Sequence, residues 1–104
     1  RRDNHEPLPE SESLPEERAF HFWTPGRYLG VQARSLREFL DILHYVEVAS
    51  LEYHLERGDF ASWLESEMRR PNLAARVRDL IPLEIRGETL REKLLQELGP
   101  GRPS

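Results

Sequence analysis

The chain has 104 residues, 38% hydrophobic and 33% charged, with a net charge of -4 and no cysteine. That length supports one modest core, and the missing thiols exclude a disulfide framework and a thiolate metal site. No apolar run approaches the roughly 20 residues of a membrane span, and the N-terminus lacks the basic-then-apolar order of a signal peptide, so a soluble, cytoplasmic protein is expected.

Residues 1–18, RRDNHEPLPESESLPEER, are acidic and rich in Pro, Glu and Ser, with Leu8 and Leu14 as their apolar content. This composition predicts a linker, and a start at Arg1 rather than Met predicts excision from a longer protein. The folded domain is expected over 19–98. Residues 99–104, GPGRPS, break helices and predict a flexible tail.

Phe20 and Phe22 alternate with His21 and Trp23, Thr24-Pro25-Gly26-Arg27 supplies turn chemistry, and Leu29, Val31 and Ala33 alternate with Gly30 and Gln32. The pattern is a β-hairpin. Two strands alone are marginal in water, so one face must lie on helices. Ser35-Leu36-Arg37-Glu38 is a capping box, and Leu36, Phe39, Leu40 and Leu43 form the stripe of the helix it starts. Ser50 is the expected cap of a second helix carrying Leu51, His54 and Leu55. Gly58 is placed to end it in the left-handed conformation, and Asp59 to cap a third helix with Phe60, Trp63, Leu64 and Met68. Pro71 is expected to end that helix. Leu73, Val77, Leu80 and Ile81 mark another, and Leu90, Leu94 and Leu98 a last one after Gly87-Glu88-Thr89. The fold class is therefore α+β, mainly α: an N-terminal two-stranded hairpin packed on four or five short helices.

The tripeptide Arg57-Gly58-Asp59 matches an adhesion motif, but each residue already has work at a helix seam. His54, Arg57 and Asp59 together could form a general base beside an anion clamp. His54 lies on an apolar stripe, however, where a hydrogen-bonded core imidazole is the commoner arrangement, so the structural reading is preferred. His5, His21, His44 and His54 form no ligand pair, and neither metal nor cofactor is expected.

Residues 19–98 carry thirteen acids against eleven Lys and Arg, and Glu52 and Glu56 stand on the helix that would read DNA in a winged-helix arrangement. Nucleic acid is disfavoured. Binding candidates are His21, Trp23 and Tyr28 on the hairpin's second face, where an aromatic ring could stack on a ligand or partner, and Arg69, Arg70 and Arg76 near Pro71, which could grip an anion or acidic surface. The residues assigned structural roles are Ser35, Glu38, Ser50, His54, Gly58, Asp59, Phe60 and Trp63.

The segments FHFWTPGRYLGVQARSLREFL, SLEYHLERGDFASWL, LAARVRDL and RGETLREKLLQEL resemble a small archaeal and bacterial domain family of unknown function. The aromatic start, the SL.EF segment and the YH..RGDF..W core carry the likeness across nearly all of residues 19–98. The resemblance implies an accessory domain and no particular activity. Together these readings predict a non-catalytic interaction or regulatory domain whose partner is another protein or an adjoining domain of the same chain. The alternative is a small-ligand or carbohydrate-binding module using the aromatic hairpin and the arginines.

Overall fold

In the computed structural model, which describes residues 12–99, two strands meet at Pro25-Gly26. Strand β1 is Phe20–Thr24 and strand β2 is Arg27–Ala33, paired antiparallel. Proline presets the first turn position and Gly26, at φ 77°, takes the positive angle of the second, the residue pattern of a type II turn. Trp23 lies opposite Tyr28, but His21 lies opposite Gln32, so β2 carries extra residues at an irregularity that contains Gly30. The alternation survives on β1: Phe20 and Phe22 are buried, His21 is half-buried and Trp23 is exposed.

Five helices follow among the described residues, and the α+β, mainly helical class expected from the sequence is what forms. Helix α1, Leu36–Leu43, begins at Ser35, whose hydroxyl accepts from the Glu38 amide at 3.1 Å. The return arm of the box differs from expectation: Glu38 Oε1 accepts from the Arg34 amide at 2.8 Å, one residue before the cap.

Helix α2, Val48–Arg57, starts ahead of Ser50, with Glu47 at the cap position. Ser50 is therefore not the cap. It sits inside the first turn, wholly buried, with its Oγ unpartnered. Val46 enters the core just before this point, and the chain takes helical geometry three residues earlier than a Ser50 cap would have it.

Gly58 ends α2 at φ 79°, as its place in the sequence predicts. Helix α3, Asp59–Ser66, starts at the next residue. Asp59 makes no capping bond, because its carboxylate turns back to His54 and Arg57, where charge-assisted bonds outweigh one to a terminal amide. Pro71 does not end α3. The Arg70 amide bonds to the Leu64 carbonyl at 2.9 Å across Arg69 at φ 56°, and this left-handed turn beyond the last helical residue carries the chain away from α3. Proline, lacking an amide hydrogen, instead opens helix α4, Pro71–Leu80. A 3-10 turn, Ile81–Leu83, leads to helix α5, Gly87–Leu98, whose first amide donates to Glu52 of α2 at 2.9 Å.

The core centres on Phe20, whose ring meets Phe22, Phe39, Phe60 and Trp63 with centroids 4.8 to 5.7 Å apart. It begins earlier in the chain than the expected domain edge at residue 19. Leu14 is buried in it, and its amide and carbonyl bond to the Arg34 carbonyl and Nε at 2.6 and 2.8 Å. A 3-10 turn, Glu16–Arg18, then carries the chain into β1. Expectations for residues 1–11, including His5, and for 100–104 lie outside the described residues.

Candidate binding face and cleft

His54 reaches its place because α2 presents it on the same stripe as Leu51 and Leu55, against β1. It is buried, and both ring nitrogens are used. Nε2 accepts from the Trp23 amide at 2.8 Å, and Nδ1 lies 2.8 Å from Asp59 Oδ2. A main-chain N–H can only donate, so Nε2 holds the lone pair and Nδ1 carries the proton given to Asp59. Burial holds the His54 pKa below its ordinary value of 6.5, and the Asp59 bond and charge only partly restore it. The imidazole is neutral with no free lone pair, so the general-base arrangement considered from sequence has no base to offer.

Arg57 Nε donates to the same Asp59 oxygen at 3.0 Å, and its guanidinium carbon lies 5.1 Å from the centre of the Tyr53 ring. The charged ends of the Arg-Gly-Asp tripeptide thus hold each other and His54, rather than projecting from a loop. Gly58 makes this possible by turning the chain so that the last residue of α2 and the first of α3 face one another.

The strand residue that His54 holds carries the exposed indole. Trp23 is 41% and Tyr28 43% exposed, and their rings lie 5.4 Å apart on the hairpin's outer face. His21 extends the face, with Nδ1 3.4 Å from the Tyr28 hydroxyl. Beside Trp23 opens a cleft of about 620 Å³, walled by Arg18, Tyr53, Arg57, Asp59 and Glu67 together with Trp23. Trp63 closes its floor: the ring is buried and its Nε1–H donates to the Arg18 carbonyl at 2.9 Å. Arg18 also pairs with Glu67 at 3.0 Å.

The structure thus brings His21, Trp23 and Tyr28 together but leaves the other three candidates elsewhere. Arg69, Arg70 and Arg76 do not line the cleft. Arg69 turns the chain away from α3, and Arg76 Nη1 donates to the Glu97 carbonyl of α5 at 3.4 Å. The arginines beside the aromatic face are instead Arg18 and Arg57. Tyr53 and Arg57 were detectable as an i, i+4 pair on one helix. Arg18 carried no such signal, since it arrives from a segment 45 residues away from its indole partner. Among the described residues, no group of three or more His, Asp or Glu is placed to hold a metal, and no helix is long and apolar enough to cross a membrane.

Compared with family models, residues 17–100 match one described as a family of unknown function, DUF5752. Neither the curated proteins nor the solved structures gave a match.

Proposed function

We propose, for a chain that belongs to the family of unknown function DUF5752, that it is a non-catalytic interaction domain which binds a partner protein through the Trp23–Tyr28 face. The observation that carries this reading is the pair of large rings left in water side by side on the hairpin, when all four phenylalanines are buried. Tyr and Trp dominate the energetics of protein interfaces because one ring buries much area at small entropic cost. The reading is non-catalytic because His54, the group best placed to move a proton, has both nitrogens committed.

The test uses the domain as bait, with Trp23→Ala, Tyr28→Ala and Arg76→Ala variants whose folding is checked by circular dichroism. A partner held by the parent and by Arg76→Ala, but lost by both aromatic variants, is the expected result. A partner held equally by all four would overturn it. The cleft's volume favours a second reading, a small-ligand or carbohydrate module, since about 620 Å³ is within the range of small-molecule sites. A change in tryptophan fluorescence on titration with sugars or nucleotides, with no protein present, would reverse the order of the two readings.

A further inference from the structure

We propose that His54 is a pH-operated latch on the aromatic face: neutral, it holds the outer edge of β1 at Trp23, and protonated, it lets that edge go. The inference rests on the reading of Trp23 and Tyr28 as the binding face and adds its regulation. It starts from the kind of acceptor that the Trp23 amide has found. An outward-facing strand amide is ordinarily satisfied by water or main chain, neither of which changes with pH. Here the acceptor is an imidazole nitrogen at 2.8 Å, inside the domain. An imidazolium carries a proton on each nitrogen. Two N–H groups would then point at one another, and the contact must open.

The imidazole has no way to relieve this by turning. Nδ1 is pinned to Asp59, Asp59 is held by Arg57, and Arg57 rests on Tyr53. The rings of Phe20, Phe22 and Phe60 pack against the imidazole at centroid distances of 4.8, 6.1 and 5.5 Å. The charged and titratable groups that face it are few. Asp59 of α3 favours the proton, Arg57 of α2 opposes it, and Tyr53 of α2 presents its ring at 5.0 Å. From β1 come phenyl rings and the Trp23 amide, while His21 lies on the strand's other face against Tyr28. Relief is therefore left to β1, and the residue that must move is the one that carries the exposed indole. Burial holds the imidazole in its neutral form at neutral pH, so the latch opens in acid.

The test reads the unliganded 104-residue chain by NMR from pH 8 downward until His54 has titrated, so that its outcome is separate from that of partner capture. Long-range nitrogen correlations should show His54 as the Nδ1–H tautomer at high pH. As His54 titrates, the Trp23 amide should lose protection from hydrogen exchange by about tenfold, after correction for intrinsic exchange, while the buried Leu94 amide of α5 keeps its own. His54→Gln, neutral and with an oxygen acceptor, should flatten the response. If that variant does not fold, Asp59→Asn removes the charge that favours the imidazolium, and the His54 and Trp23 midpoints should move together to lower pH. Protection at Trp23 that persists once His54 is charged, midpoints that separate in Asp59→Asn, or joint loss at Trp23 and Leu94 would each overturn the latch. A working latch in a domain whose Trp23→Ala variant still captures its partner would sink the binding-face reading alone.

Discussion

The indole N–H of Trp63 donates to the carbonyl of Arg18 at 2.9 Å, which ties the middle of α3 to the chain segment just ahead of the hairpin. The ring also packs on Phe20 and Phe39, with centroids 5.7 and 5.1 Å away. Trp63→Ala should therefore cost about 3 to 5 kcal/mol, as expected for a large aromatic removed from a core. Trp63→Phe keeps most of the packing and loses the bond, leaving the Arg18 carbonyl without this donor, so a smaller loss of roughly 1 to 2 kcal/mol is expected. Urea titrations of the two variants check the order. Equal costs would mean that the packing adds nothing beyond the hydrogen bond, and a Trp63→Phe cost near zero that the bond adds nothing to the packing.

Ser50 separates two accounts of how α2 begins. A capping serine replaced by alanine costs about 1 kcal/mol. Inside the first turn, with a buried and unpartnered hydroxyl, the same change removes an unsatisfied polar group and adds helix propensity. Ser50→Ala should thus raise the melting temperature or leave it unchanged. A drop of several degrees would restore the serine to the cap.

Acid should weaken the whole domain through His54. Its folded pKa lies below its ordinary value of 6.5, so the unfolded chain binds the proton more readily and stability rises with pH across that interval. The contribution is complete above 6.5 and is lost as pH falls from there toward the folded value. Urea midpoints at pH 7.5 and 5.5 should differ in that direction, and the difference should shrink in His54→Gln. Glu88, whose bond to Arg91 lowers its carboxyl from the ordinary value, acts in the same direction as pH falls, and the His54→Gln comparison, which leaves Glu88 in place, isolates the imidazole.

The hairpin, the order of the helices and the core stripes were legible because each rests on neighbouring residues: alternation on β1, three-and-four spacing on the helices, Gly58 at a helix end. Alternation placed Trp23 on the face opposite Phe20 and Phe22, but that no helix covers that face came only from the fold. What escaped the sequence was where polar side chains send their bonds. Asp59 and Ser50 have the composition of caps, yet Asp59 has a better partner across the seam, and α2 starts two residues before Ser50, with Val46 already packed. Leu14 read as linker because an isolated leucine among prolines and glutamates has no period, and its packing depends on Arg34, 20 residues later. The cleft was least legible of all, since its walls come from the 3-10 turn, β1, α2 and α3, and only the fold brings them together.

Gly58 joins two helices at φ 79°, an angle that side-chain-bearing residues rarely adopt. Beyond its own chain neighbours no atom lies within 4 Å of where a Cβ would sit, so alanine meets no tertiary obstacle and the cost of Gly58→Ala is that of the backbone conformation itself. That cost is roughly 1 kcal/mol, which should lower the melting temperature of a domain this size by about 4 to 8 °C. Asparagine tolerates the left-handed region better than alanine, so Gly58→Asn should be the milder change. The seam also aligns Arg57 with Asp59 and Asp59 with His54, so strain there should reach the Nδ1 bond. The His54 ring resonances should therefore shift in Gly58→Ala more than those of His44, which lies just beyond α1. If Arg57-Gly58-Asp59 were instead a loop free to meet a receptor, neither the melting temperature nor the His54 resonances would respond, and an unchanged pair of readings would refute the helix seam.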